Sequence, residues 1–264
     1  MTEPKAYDGS RRHILDWTES PNFISTVREW IAPQGLTIEN DAVCMPSNWA
    51  HPRESRLFDA RSPFLDKDRK DNMRQWWLAY SGNIPNWDAI IEAASPHGPA
   101  LVLIEAKAHI GEFDRKPKSL GRSKDPDGQT RTDANHLQIQ RAIAEASSAL
   151  SRIHPGISIS RDHHYQLSNR IAMAWKLASL GIPNALIFLG FTGDREISMG
   201  GEYFKDRDHW HAAFSDYLAE TLPMHLLDSD IGSGAASFRL LSRSLPAIRT
   251  SRPIAERKAG RKPS

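Results

Sequence analysis

Residues Ile84–Lys107 read IPNWDAIIEAASPHGPALVLIEAK, two apolar runs joined by turn residues. The second run, Ala100 to Ile104, stays uncharged until Glu105 and Lys107, the pattern of a buried central strand. Side chains alternate along a strand, so Leu101, Leu103, Glu105 and Lys107 share one face. In the first run, Asn86 to Glu92, the same alternation groups Asp88, Ile90 and Glu92. Ser95-Pro96-His97-Gly98-Pro99 is strong turn chemistry. A hairpin centred on Pro96 and His97 pairs positions whose numbers sum to 193, which sets Ile90 opposite Leu103 and Asp88 opposite Glu105. Opposed residues lie about 5 Å apart at Cβ, close enough to share one cation.

Two carboxylates facing each other at the end of a buried sheet raise each other's pKa unless a metal or a base neutralises them. Relief of that repulsion predicts that Glu105→Gln slightly stabilises the metal-free protein. Hard oxygen ligands favour Mg²⁺, with Mn²⁺ as a substitute. Because Mg²⁺ keeps several waters and takes one or two carboxylates, Asp88, Glu105 and the Ala106 carbonyl form a sufficient set, with nearest carboxylate oxygens about 3–5 Å apart. Lys107, on the same face, is placed to hold or deprotonate an attacking water and to offset charge growing on a phosphate.

Pro85-x-x-Asp88 followed by Glu105-x-Lys107 on a hydrophobic strand resembles the PD-(D/E)xK nuclease superfamily. The resemblance covers roughly residues 22 to 192. It implies an α/β restriction-endonuclease-like fold, a central mixed sheet flanked by helices. It also implies metal binding by Asp88 and Glu105 and a water-assisting Lys107. In relatives a glutamine or tyrosine on the helix after the catalytic strand often lines the site, which points to Gln166, with Tyr165 and Arg170 nearby. Gln138 and Gln140 on the preceding helix are rivals. Gln166 is preferred because its helix leads straight into the next strand, and Gln166 and Arg170 lie one turn apart on one face, able to contact a phosphate together.

The flanking sequence predicts helix, three strands, helix, strand, with one additional helix. Asn22 to Ile31 has helical spacing after Ser20-Pro21, with Glu29 pointing away from its apolar stripe toward solvent. Arg74 to Tyr80 alternates as a strand, Asp133 to Leu150 carries a helical stripe, and a second helix starts with Asp162 as N-cap. Gly181 and Pro183 end that helix, and Ala185–Phe191 is a buried strand. A last helix spans His209 to Leu222. Residues 1–21 and 223–264 read as extensions around a domain of residues 22–222.

Composition bounds the rest. The 264 residues, 39% hydrophobic, suffice for one core. No apolar run approaches the roughly 20 residues of a membrane span, and the polar N-terminus is not a signal peptide, so a cytoplasmic protein without a membrane partner is expected. A single cysteine, Cys44, excludes an intrachain disulfide framework. His163-His164 and His209-x-His211 lack zinc-site spacing, and neither H-E-x-x-H nor G-x-S-x-G occurs. Lys and Arg exceed Asp and Glu by two, 34 against 32, but unevenly. Residues 249–264 hold six basic residues against Glu256, a net +5 that leaves the remainder at −3. Such a tail, expected to be disordered, suits phosphate contacts by counterion release. Glu112 to Thr132 reads as a second flexible stretch, rich in Lys and Arg, at the rim of the site and able to close over a strand.

The sequence therefore points to Mg²⁺-dependent hydrolysis of phosphodiester bonds, DNA being the first partner expected and RNA the second. A catalytically inert nucleic-acid-binding or scaffolding protein of the same fold is the alternative from another class, and a nuclease of structured RNA is a further one. The sequence leaves oligomeric state open, a homodimer included.

Overall fold

The computed structural model describes residues 8–195 and 202–248, so the basic tail from Arg249 lies outside the described residues. In chain order the elements are α1 Gly9–Thr18, α2 Phe23–Ile31, β1 Cys44–Met45, β2 Ser55–Arg56, α3 Lys67–Trp77, β3 Asn86–Trp87, β4 Ala89–Ser95 and β5 Gly98–Lys107. There follow α4 Pro126–Ile153, α5 Tyr165–Ser179, β6 Asn184–Thr192, α6 Arg207–Ala219, β7 Asp230–Gly232 and β8 Ser237–Pro246. Six strands make one mixed sheet in the order β1-β4-β5-β6-β8-β7, while β2 and β3 pair separately. β1–β4, β4–β5 and β7–β8 run antiparallel; β5–β6 and β6–β8 run parallel.

Alternation along the strands builds two cores. Ile90, Leu101, Leu103, Leu186, Phe188 and Leu240 face α3, α4, α5 and α6, where Trp77, Ile143, Ile171 and Phe214 meet them. Val102, Ile104, Ala106, Ile187 and Leu189 face α1 and α2, against Ile14, Trp17, Phe23 and Val27. The central stretches Ala100–Ile104 of β5 and Ala185–Phe191 of β6 are apolar and buried on both faces, as a sheet covered on both sides requires. Glu105 and Lys107 continue the Leu101–Leu103 face, so their charges emerge on the α5 side.

Gly190, paired with Lys107 across β5 and β6, is required by packing. A Cβ there would stand 2.2 Å from the buried indole of Trp210, whose Nε1 donates to Ser242 Oγ at 2.9 Å. Glycine lets that ring lie flat on the sheet beside the site.

Four expectations are corrected. Arg74 to Tyr80 is not a strand: Lys67–Trp77 is helical, with Asp66 Oδ1 accepting the Arg69 amide at 2.8 Å as its N-cap. Met73, Trp76 and Trp77 are buried together while Tyr80 is 51% exposed, a period of 3.6 and not of 2. The first strand of the antiparallel set is instead β1, which runs beside Ile90 and Ile91. Second, Glu112 to Thr132 is only partly loop, because α4 begins at Pro126, capped by Asp125 Oδ2 on the Gly128 amide at 2.8 Å. Third, Asp162 does not cap α5. The helix starts at Tyr165 behind His164 in left-handed conformation, and the amides of His164 and Tyr165 donate to the carbonyls of Arg115 and Lys116, each at 3.2 Å. Fourth, the described parts of the segments outside residues 22–222 join the core. α1 buries Ile14, Leu15 and Trp17, and β8 pairs with β6 along its whole length.

No helix among the described residues is long and apolar enough to cross a membrane.

Candidate active site

The hairpin register is as predicted: Ile90 opposes Leu103 and Ala89 opposes Ile104, closed by Ser95 opposite Gly98. The ladder ends one residue short of the aspartate. Asp88 stands in a bend between β3 and β4, and its side chain takes over where the backbone stops, Oδ2 accepting the Ala106 N–H at 2.7 Å. That bond fixes the carboxylate against the residue lying between Glu105 and Lys107.

Glu105, 2% exposed, is gripped from both sides. Its Oε1 accepts from Lys107 Nζ at 2.7 Å and its Oε2 from Arg170 Nε at 2.7 Å. Lys107, 4% exposed, donates also to Gln166 Oε1 at 2.9 Å, which joins α5 to the end of β5. One turn further along α5, Arg170 donates to the Asn86 carbonyl at 2.7 Å and to Asn169 Oδ1 at 3.1 Å. Its guanidinium lies 4.5 Å from the centroid of the Trp87 ring, a cation–π contact away from water. The arginine therefore staples α5 to both β3 and β5.

These charges divide the carboxylates. Burial raises the pKa of Asp88 first, and the charge of Glu105 second, to about 7, against the pull of Lys107, the Ala106 amide and Arg170. Burial also acts to raise Glu105, but Arg170 and then Lys107 overturn it and hold the carboxyl below its ordinary range. The pair is thus relieved unevenly: buried bases neutralise Glu105, and Asp88 alone keeps the upward shift expected of an unneutralised carboxylate.

A third carboxylate joins them. Glu112 accepts the Ala108 amide at 3.0 Å and approaches His109 Nε2 at 3.4 Å, and burial pushes its pKa upward against Lys107. Asp88, Glu105, Ala106, Lys107, Glu112 and Gln166 line one cavity of about 610 Å³, which Ser10 of α1 also borders.

Of the rivals to Gln166, Gln138 donates to the Trp76 carbonyl at 2.9 Å and Gln140 accepts from Arg161 at 3.1 Å, away from this cavity. Tyr165 lines an adjacent cavity, its phenol pushed up to about 12 by burial. Glu29 is exposed on α2. Sequence reasoning misses Glu112, Ser10 and the grip of Arg170 on Glu105. Only Arg170 leaves a sequence signal, its position four residues after Gln166.

Among the described residues no group of three or more His, Cys, Asp and Glu side chains is disposed to hold a metal. Mg²⁺ does not require one. Asp88, Glu105 and Glu112 stand close together in this recess, and burial first and the charge of Glu105 second raise the pKa of Asp88. A divalent cation beside Asp88 would offset that carboxylate charge. Asp88 and Glu105 are the side chains to hold it, since each carboxylate oxygen keeps a second lone pair beside its present hydrogen bond, and the Ala106 carbonyl is the backbone candidate.

Compared with known proteins, the chain matches no family model, no curated protein and no solved structure.

Proposed function

We propose that this protein is a Mg²⁺-dependent nuclease with a restriction-endonuclease-like core of the PD-(D/E)xK kind, hydrolysing phosphodiester bonds in DNA first and RNA second. One observation carries the reading. Asp88 is fastened to Ala106 while Glu105 and Lys107 flank that residue on the same strand, all in one polar recess at the end of a buried hairpin.

The residues divide the work. Lys107, held between Glu105 and Gln166, presents an ammonium that orients water and offsets the charge of the trigonal-bipyramidal phosphate. Arg170 fixes Glu105 so that its oxygens do not swing away, and Gln166 aims the lysine. Asp88, with a pKa near neutrality, exchanges a proton for a cation at little cost. Bound Mg²⁺ supplies Lewis acidity to the phosphate and makes water a stronger acid.

A second reading rests on one observation. Both oxygens of Glu105 already have cationic partners, so the cluster also serves as a structural pin in an inert nucleic-acid-binding protein.

Incubating the purified chain with single-stranded and duplex DNA and RNA, in Mg²⁺, Mn²⁺ or EDTA, separates the readings. The nuclease reading expects divalent-dependent cleavage, reduced about 10²-fold or more in Lys107→Ala and similarly in Asp88→Asn. Absence of cleavage under every condition leaves the inert protein, and full activity in both variants would show that Asp88 and Lys107 do not carry the hydrolysis.

A further inference from the structure

Beside the candidate active site lies a larger cavity of about 860 Å³. The two share Asp114, Lys116 and Gln166 in their walls, so they form one trough. Its far wall carries Lys118, Arg131, Asn135, His136 and Tyr165. Asp114 is the one carboxylate among the described residues lining the larger cavity, against Lys116, Lys118, Arg131 and Arg170. Arg170 is committed to Glu105, but Lys116, Lys118 and Arg131 form no ion pair with a carboxylate among the described residues. Lys118 instead holds its ammonium 5.7 Å from the centroid of the half-buried Tyr165 ring. His136 Nδ1 is buried without a hydrogen-bond partner. Unpaired cations beside an aromatic face and a free ring nitrogen match a phosphate chain with unstacked bases.

The trough has a fixed wall. Its strap, Asp114 to Lys118, is tied to the start of α5 by His164 N–H to Arg115 O and Tyr165 N–H to Lys116 O, and by Lys118 N–H to Arg161 O at 2.9 Å. Tyr217 Oη donates to the Asp114 carbonyl at 3.1 Å, and Arg115 pairs with Asp216 at 2.6 Å, both from α6. Glu105 and Lys107, with 2% and 4% exposure, form part of the floor. A phosphate must enter this recess to meet them. Duplex phosphates ride on a rod with a persistence length of about 50 nm, whose neighbouring nucleotides do not follow one phosphate inward. An unpaired strand bends, and its bases swing onto side walls.

We propose, resting on the nuclease reading, that this trough seats the unpaired nucleotides flanking the scissile phosphate, and hence that the substrate is single-stranded nucleic acid or an unpaired end, in preference to duplex. Lys116, Lys118 and Arg131 take the phosphates, and Tyr165 stacks on a base.

The test measures binding apart from cleavage. Full-length Asp88→Asn protein is titrated into fluorescein-labelled 12-nucleotide single-stranded DNA, the same sequence as RNA, and the blunt duplex, with anisotropy read across a salt series. The two single strands distinguish DNA from RNA. At least about tenfold tighter binding of one single strand than of duplex is expected. Adding Lys118→Ala and Arg131→Ala should lower the slope of log K against log salt by about 1.4, at about 0.7 for each phosphate left without its cation. Tyr165→Ala should weaken single-strand binding about tenfold while Tyr165→Phe leaves it intact. Equal or tighter binding of duplex overturns the inference, as does an unchanged salt slope, and either result leaves wild-type cleavage to be judged separately. Single-strand preference in a wild-type protein that cleaves nothing supports the trough and overturns the hydrolytic reading.

Discussion

Asp88 and Glu105 are two carboxylates of one hairpin, and the ends that carry them treat charge in opposite ways. The end of β5 surrounds Glu105 with Lys107 and Arg170 at 2.7 Å each and keeps it ionised. The bend before β4 gives Asp88 one hydrogen bond, from the Ala106 amide, and burial pushes its pKa up to about 7 in spite of Lys107 and Arg170. The register that makes them neighbours is symmetric; their environments are not. One carboxylate is already neutralised by protein cations, and the other is where the proposed cation would have most to offset.

Glu105→Gln tests the saturated side and carries the largest expected effect. Removing one member of a buried ion pair leaves uncompensated charge and costs about 3–5 kcal/mol. With Lys107 and Arg170 both stranded, the thermal midpoint should fall by roughly 10 °C, measured by calorimetry without metal. The slight stabilisation expected from carboxylate repulsion alone is thereby reversed in sign. A melting point at or above wild type would show that the two cations do not depend on Glu105.

Asp88→Asn tests the other side and should move stability the opposite way. The folded pKa of Asp88 is raised, so its contribution favours folding below about pH 4, the unfolded value, and is lost as pH climbs through about 7. Glu105, whose pKa is lowered, behaves inversely: its contribution is present above its unfolded value and lost as pH falls through the folded one. Asparagine keeps an acceptor for the Ala106 amide without the buried charge. At pH 8 without metal the variant should therefore melt a few degrees above wild type, and at pH 5 the difference should shrink. A constant difference across pH would place the proton elsewhere.

Deleting residues 249–264 should have the smallest effect on the comparison, because it changes neither carboxylate. It should weaken nucleic-acid binding and lower the salt slope by about 0.7–0.9 for each phosphate that the tail no longer neutralises, with single-turnover cleavage at saturation unchanged. An unchanged slope would show that the basic residues of the tail make no phosphate contacts.

What is legible in the sequence is local and periodic. Pro96-His97 fixes the hairpin, and the alternation of Leu101, Leu103, Glu105 and Lys107 fixes the face. Gln166 is reachable because α5 returns directly to the sheet. The grip of Arg170 on Glu105 is not, because it joins residues 65 positions apart, and no spacing encodes such a contact. α3 misleads because Trp76, Leu78 and Tyr80 mimic period two, while the Asp66 cap lies just upstream of that window. β8 is hidden by Arg239 and Arg243, whose charges suggest a surface segment. Both arginines are paired at the edge, with Asp230 and Asp228, while Phe238, Leu240 and Leu241 fill the core. α1 escapes because its buried side includes Arg12, His13 and Asp16, polar residues that hydropathy places outside.

The proposed metal site depends on the raised pKa of Asp88, and proton release on Mg²⁺ binding measures it. Calorimetric titration at pH 7, in buffers of differing ionisation enthalpy, counts protons displaced per ion. With a carboxyl titrating near 7, about half a proton per Mg²⁺ should leave wild type, falling toward zero at pH 8.5, and Asp88→Asn should bind the ion far more weakly. Mg²⁺ binding with no proton release at pH 7, or with equal affinity in Asp88→Asn, would contradict the account.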